Sequence, residues 1–365
     1  MRTCIFLGAG ASAAEGAPIQ NDLFRQYFKS LKPARRGRPQ GTEQEMQKEL
    51  AGFFDEMFGI NVRNNRLELA TFPTFEEALG LLDLAELRRE AFKKYELEDF
   101  GPNGNRIRKL RKYLVFAMAK VINDTLTKTQ GLHDQLIRKL LEHNLFNQTV
   151  FVTTNYDILI DNAISRRSQN RAGGNLDYGV EFTNFRRGDW QRPDPNAVPL
   201  FKLHGSLNWL YCANDNTLTL TPFEKGVIDL ITDVQFDADR AVCRDCQSIM
   251  SPIIVPPTFY KDMSRVFLSE IWNKAEQALR DVDHIVFCGY SFPDADMHIK
   301  YLLKRVQSNR TNRPPLKFSV VNHHPGKKKQ QSDEERARFQ RFLGVVNYTR
   351  TTFKEFANAP RGFYS

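Results

Sequence analysis

The sequence predicts a parallel, doubly wound α/β sheet, and three observations point to it. Short apolar runs rich in β-branched and aromatic residues recur along the chain: Thr3–Leu7 (TCIFL), Thr149–Thr153 (TVFVT), Leu200–Leu203, His284–Cys288 (HIVFC) and Lys317–Val321 (KFSVV). Several are separated by longer segments whose apolar residues return at helical spacing, so strands alternate with helices. Each run also stops abruptly at glycine or a polar residue. In such sheets the carboxyl ends of the strands are where ligands bind.

Taken in order, Thr3–Leu7 is a short buried strand, followed by a helix expected over Pro18–Ser30. Lys32–Glu45, rich in Pro, Gly and charge, reads as a loop. From Glu43 to Phe146 the pattern is mostly helical: Leu79, Leu82, Leu84 and Leu87, then Leu110, Leu114, Val121 and Ile122, recur with charges between them. This stretch reads as an insertion between the first strand unit and the second. Thr149–Thr153 opens the second unit and is followed by an apolar helix. Arg166–Pro199 is a Gly-, Asn-, Arg- and Pro-rich connection, and Asn208–Ile249 is loop-rich and partly β. Ile253–Val255 ends at Pro256–Pro257; Val266–Arg280 is an amphipathic helix, and Asp296–Gln307 is a helix after the His284–Cys288 strand. The expected division is 1–32 as the first part of the sheet domain and 33–147 as the helical insertion. The sheet domain continues over 148–207, 208–250 forms a small insertion, and 251–365 completes the sheet domain with a C-terminal tail.

A chain of 365 residues is too long for one small core, and 41% hydrophobic residues with 12% aromatics suffice for a globular fold. No apolar run is long enough to span a bilayer, and a soluble cytoplasmic protein is expected. The net charge of +9 raises nucleic acid as a partner. Its local clusters, Lys32–Arg38, Arg106–Lys112 and Lys327–Lys329, read instead as solvated loops and helix faces. Five cysteines in so long a chain do not make a disulfide scaffold.

The strand ends carry the chemistry. After the first comes Gly8-Ala9-Gly10-Ala11-Ser12, which can turn tightly with nothing bound or present backbone N–H groups to a phosphate. After the second come Asn155 and Asp157, which can cap a helix or orient an amide and ribose hydroxyls. His204 follows the third, placed to act as a base near neutral pH, with Gly205 leaving space for a ligand. Gly289-Tyr290-Ser291 and Asn322 follow the last two. Asp294 and Asp296 are expected in the first turn of a helix, Glu76–Glu77 at another helix start, and Trp209 and Tyr211 in the core.

GAGAS, TTNYD, KLHGS, GYSFPDAD and the Asn322 of SVVNHHP stand in the order seen in sirtuins. The chain resembles that Rossmann-like fold, and within it the bacterial branch of NAD-consuming antiviral proteins. The resemblance implies that Ala9, Gly10 and Ser12 line the NAD+ pyrophosphate. Asn155 positions the water and nicotinamide ribose, Asp157 holds the nicotinamide amide, and His204 is the general base. Gly289, Ser291 and Asn322 contact the phosphate and adenosine ribose. The implied activity is hydrolysis of NAD+ to nicotinamide and ADP-ribose, depleting NAD+ in abortive antiphage defence. A protein deacylase or ADP-ribosyltransferase, and a non-catalytic NAD+ or ADP-ribose-binding module, are the alternatives.

Two departures from the deacylases favour hydrolysis. Their cofactor loop continues as GIPDFR, whereas Gly16-Ala17-Pro18-Ile19-Gln20-Asn21 lacks the Asp-Phe-Arg, and no acyl-peptide segment is recognisable. Their zinc module has two Cys-x-x-Cys pairs; here Cys243 and Cys246 form one, and Asp215 stands where a partner of Cys212 would be. That pattern admits either a structural Cys-Asp-Cys-Cys zinc site or a metal-free, degenerate remnant. The chain shows no P-loop. A trigger is therefore expected from homo-oligomerisation or a partner, by family analogy a hexameric DNA-translocating ATPase or a prokaryotic Argonaute.

Overall fold

The computed structural model describes residues 1–19, 22–30, 42–62, 67–95, 97, 105–126, 129–167, 176–184, 197–221, 242–248, 250–254, 266–311 and 313–364. The chain divides into two compact units: Met1–Ala17, Thr125–Val227 and Val242–Ser365 form one, and Pro18–Asp124 with Ile228–Ala241 the other.

The first unit is built on a seven-stranded sheet. Its strands are β1 (Thr3–Leu7), β2 (Thr149–Thr153), β3 (Leu176–Asp177), β5 (Val198–Lys202), β9 (His284–Cys288), β10 (Lys317–His323) and β11 (Asn347–Thr352), ordered β11-β10-β9-β1-β2-β5-β3. Every pairing in it is parallel. A parallel sheet covered on both faces needs strands that are apolar throughout. β1, β2 and β9 have no residue outside the buried class. The chain leaves β1 toward β2 on one side and adds β9 on the other, so β1 lies at the point where the winding reverses.

Register levels the strand ends. Leu7 pairs with Thr153 and Cys288, Thr153 with Lys202, and Cys288 with Val321. Five carboxyl ends thus form one row. The second sheet of this unit, ordered β4-β7-β6-β8, consists of β4 (Thr183–Asn184), β6 (Gly205–Cys212), β7 (Thr217–Leu220) and β8 (Ser251–Ile254). Trp209 is wholly buried in it against Tyr178 and Phe182.

In the other unit, helices Leu23–Ser30, Thr42–Phe58, Phe75–Arg88 and Arg106–Leu126 dominate the described residues. Phe24, Phe28, Phe53, Phe54, Phe72 and Phe75 supply an aromatic core. Glu77 does open a helix, in a reciprocal capping box with Thr74. The Arg106–Lys112 cluster is spent internally: Arg106 pairs with Glu49 and Glu56, Arg108 with Glu86, Lys109 with Glu45 and Arg111 with Asp83.

Three local expectations change. A five-residue helix, Ala9–Ala13, starts directly after β1, and the helix expected from Pro18 begins at Leu23. The loop expected over Lys32–Glu45 gives way to helix at Thr42, while Lys32–Arg38 and Pro256–Pro257 lie outside the described residues. Asp294 and Asp296 precede the helix Met297–Ser308 instead of entering its first turn: Asp294 pairs with Lys300, and Asp296 accepts the Tyr290 hydroxyl.

Where β1 and β9 end, the glycines are steric requirements. A Cβ on Gly289, at φ +65°, would stand 2.0 Å from the Ala11 nitrogen, and one on Gly8 2.7 Å from the Gly289 oxygen. Gly289→Ala is therefore expected to lower unfolding free energy by about 3 kcal/mol or more. Gly326→Ala, also at positive φ but in open space, should cost only about 1–2 kcal/mol. Urea unfolding of both variants checks this.

Candidate active site

Ser12, Asn155 and Asp157 form one hydrogen-bonded group above the row of strand ends. The Ser12 hydroxyl, on the short helix after β1, donates to Asp157 Oδ2 at 2.6 Å. Asn155 Nδ2 donates to the Gly8 carbonyl at 2.9 Å and to Ser12 Oγ at 2.8 Å. Gly8 O can only accept, so the amide orientation follows from the network. Both amide hydrogens are committed, and Oδ1 remains as an acceptor on a half-buried residue. Asp157 Oδ1 takes the Leu159 N–H at 3.0 Å, so Asp157, not Asn155, ties down the start of helix Leu159–Arg167.

His204 is 2% exposed and lies in the turn between β5 and β6, its ring centroid 6.3 Å from that of Tyr156. The strand-end loops are tied together here: Leu203 N–H donates to Thr153 O, and Leu207 N–H to Tyr156 O. Gly205, at φ +86°, was expected to leave ligand space. Instead a Cβ there would lie 2.2 Å from the Ile253 carbonyl, so β8 backbone fills the volume. The glycine serves a sharp turn from one sheet into the other.

A second group gathers at β9 and β10. Gly10 N–H donates to Gly289 O at 2.8 Å, and Gly289 N–H to Val321 O at 2.9 Å. Asn322 Oδ1 lies 3.1 Å from where a Gly10 Cβ would stand. Asn322 Nδ2 donates to buried Glu335, whose other oxygen takes Lys327 Nζ; the Tyr348 hydroxyl completes the cluster. Ser291 is exposed, and its carbonyl accepts from Arg338. Ala9 is exposed. Because Gly10 and Ala11 N–H groups are bonded internally, the turn offers fewer free donors to a phosphate than its sequence implies.

On the small sheet, Cys212, Asp215, Cys243 and Cys246 place their donor atoms within 4.8 Å of one another. Cys212 and Cys246 sulfurs are 3.4 Å apart, and Cys243 Sγ donates to Asp215 Oδ2 at 2.8 Å. Bonds to Cys243 and then to Cys246 and Cys212 hold the Asp215 carboxyl below its ordinary range. Tetrahedral zinc with bonds of about 2.3 Å to sulfur spaces its ligands by about 3.5–3.8 Å. Three thiols and one carboxylate are donor types that zinc takes, and the 2.8 Å Cys243–Asp215 hydrogen bond would have to open to reach that spacing.

A family model described as SIR2-like domain matches residues 149–343, more than half of the chain. The chain belongs to the SIR2-like domain family. The matched span of this SIR2-like chain holds Asn155, Asp157, His204, the cysteine group, Gly289 and Asn322, whereas Gly8–Ser12 precede it. Among solved structures the chain is similar to "Sir2-p53 peptide-NAD+" at 15% identity, covering 100% of this chain and 94% of that one, with a TM-score of 0.43. It is similar to a structure described as "The Structural basis of Sirtuin Substrate Affinity" at 16% identity, covering 99% and 94%, with a TM-score of 0.44. No curated protein matches in sequence.

Glu15, which the sequence did not single out, anchors the end of the Ser12 helix. It is 1% exposed and accepts the His133 N–H at 2.7 Å, the His133 ring at 2.9 Å and the Thr129 hydroxyl. Burial pushes its carboxyl up, but the His133 and Thr129 bonds and the His133 charge outweigh this and hold it down at about 2, against an ordinary 4.5. A depressed carboxyl stabilises the fold above the unfolded value and loses that contribution as pH falls toward the folded one. Stability should thus drop by on the order of 3 kcal/mol between about pH 5 and pH 2. The deficit of Glu15→Gln relative to the parent should be large at pH 5 and shrink at pH 3, read by urea unfolding at each pH.

Proposed function

We propose that this SIR2-like protein hydrolyses NAD+ to nicotinamide and ADP-ribose. One observation carries the reading: the Asn155 amide, with both hydrogens committed to Gly8 and Ser12, can offer only Oδ1 to a ligand. An acceptor held this way receives a hydrogen bond from a water molecule and turns the water's lone pair toward C1′ of the nicotinamide ribose. The C1′–N bond breaks with its electron pair leaving on nicotinamide, which departs neutral. Water oxygen bonds to the oxocarbenium-like C1′, and the proton it loses passes to His204 as general base. Asn322, with Nδ2 committed to Glu335, likewise offers an acceptor, suited to adenosine ribose hydroxyls.

Incubation with NAD+, with and without an acetyl-lysine peptide, tests this by nicotinamide release. Release without peptide supports hydrolysis; strict dependence on peptide assigns the protein to the deacylases, and NAD+ binding without turnover, even alongside partners, to a regulatory module. Asn155→Ala and His204→Ala should each reduce release by at least about 100-fold with unchanged circular dichroism.

The same reading makes the enzyme an NAD+-depleting antiphage effector, silent until oligomerisation or a partner such as a DNA-translocating ATPase or an Argonaute releases it. The cysteine group is read as a structural zinc site, held by Cys212, Asp215, Cys243 and Cys246. Protein purified without chelator should contain about one zinc per chain by elemental analysis, and Cys243→Ser should lose it.

A further inference from the structure

Two residues before His204, Lys202 ends β5 with a side chain that is 0% exposed. Burying an ammonium group costs several kcal/mol unless it is paired and hydrogen-bonded. Its Nζ donates to Asp161 Oδ2 at 2.9 Å and to the Asp157 backbone carbonyl at 2.5 Å. Asp161 is itself 0% exposed, and its second oxygen accepts the Tyr178 hydroxyl at 2.6 Å. The ion pair is therefore closed off from water, and one donor of the lysine is spent on the peptide carrying a site residue.

That peptide is held from both ends. Its carboxylate takes Ser12 O–H and Leu159 N–H, and its carbonyl takes Lys202. Ser12 in turn accepts from Asn155. Lys202 pairs in register with Thr153, the last residue of β2, and the Asn155 N–H donates to Thr153 Oγ1 at 3.0 Å. Two strand ends, one leading into Asn155 and Asp157 and the other into His204, already share the Leu203 N–H to Thr153 O and Leu207 N–H to Tyr156 O bonds, and one charged side chain adds a buried bridge to the Asp157 carbonyl.

We propose that Lys202, through its ion pair with Asp161, is a positioning residue that fixes the Asn155–Asp157 loop relative to His204. It touches no substrate and acts through the Asp157 carbonyl. The proposal rests on the hydrolase reading for its catalytic consequence, but not for its structural one. Lys202→Met alone leaves Asp161 buried without its partner and is expected to destabilise the fold. The decisive variant is Lys202→Met with Asp161→Leu, made in a Tyr178→Phe background so that no buried hydroxyl loses its acceptor, because an apolar pair replacing a buried ion pair often leaves stability intact. In the full chain, this double variant should keep its melting temperature and its Kd for NAD+ within about threefold. Its kcat for nicotinamide release should fall at least about tenfold, since small misplacements of a reacting group cost up to about 100-fold. Hydrogen exchange at the 154–159 amides should accelerate while the β1 and β9 amides stay protected.

A double variant with parental kcat, or with parental exchange over 154–159, overturns the proposal. If the parent protein releases no nicotinamide, even alongside partners, but the double variant shows the local acceleration, the hydrolase reading falls and the positioning of the loop by Lys202 stands.

Discussion

Between the ends of β1 and β9 two backbones run so close that neither tolerates a Cβ. Gly8 and Gly10 meet Gly289 carbonyl to α-carbon, and Gly10 N–H closes the contact at 2.8 Å. This approach sets the Ser12 helix down over the row of strand ends. A glycine pair after a strand is often taken as the mark of an open phosphate seat. Here much of its freedom goes first to backbone packing, and the ligand-facing surface is built from what that packing leaves exposed.

Once the helix is placed, buried polar groups hold the site without help from a ligand. Ser12 joins Asn155 to Asp157, Lys202 ties Asp157 to the third strand end, and Glu15 pins the far end of the same helix to Thr129 and His133. Each of these groups would be costly to bury alone, and each is satisfied by a partner distant in sequence. Groups paired in this way hold their geometry without a ligand, which is the condition for electrostatic preorganisation. Charge elsewhere is used similarly. The basic run Arg106–Lys112 answers acids of its own helical unit, and Lys327 is buried against Glu335. These pairs cancel base against acid and leave the net charge of +9 unchanged.

Much of the fold is legible in the sequence because local pattern decides it. β1, β2 and β9, and the helix Val266–Arg280, begin and end where apolar periodicity says they should. The helix start after β1 was not legible: Ala9–Ala13 is short, and its small residues suit a turn as well as a helix. Asn155, Asp157 and Ser12 could be picked out because strand ends in a parallel sheet face one crevice. Lys202 had a signal, a lysine inside the apolar run Leu200–Leu203, and Glu15 had none.

The sequence by itself determined five of the seven strands of the main sheet, its parallel doubly wound class and the residues at those strand ends, since these follow from hydrophobic period and turn chemistry over a few neighbours; β3, β11 and the strand order came from the tertiary structure. Only the tertiary structure decided which of those residues touch, which donors are already spent and which glycines are filled by backbone. Gly205 shows the difference: its type predicts room, but the Ile253 carbonyl from a strand some fifty residues away takes that room. Contacts of this kind depend on register and packing between distant segments, which no local pattern encodes.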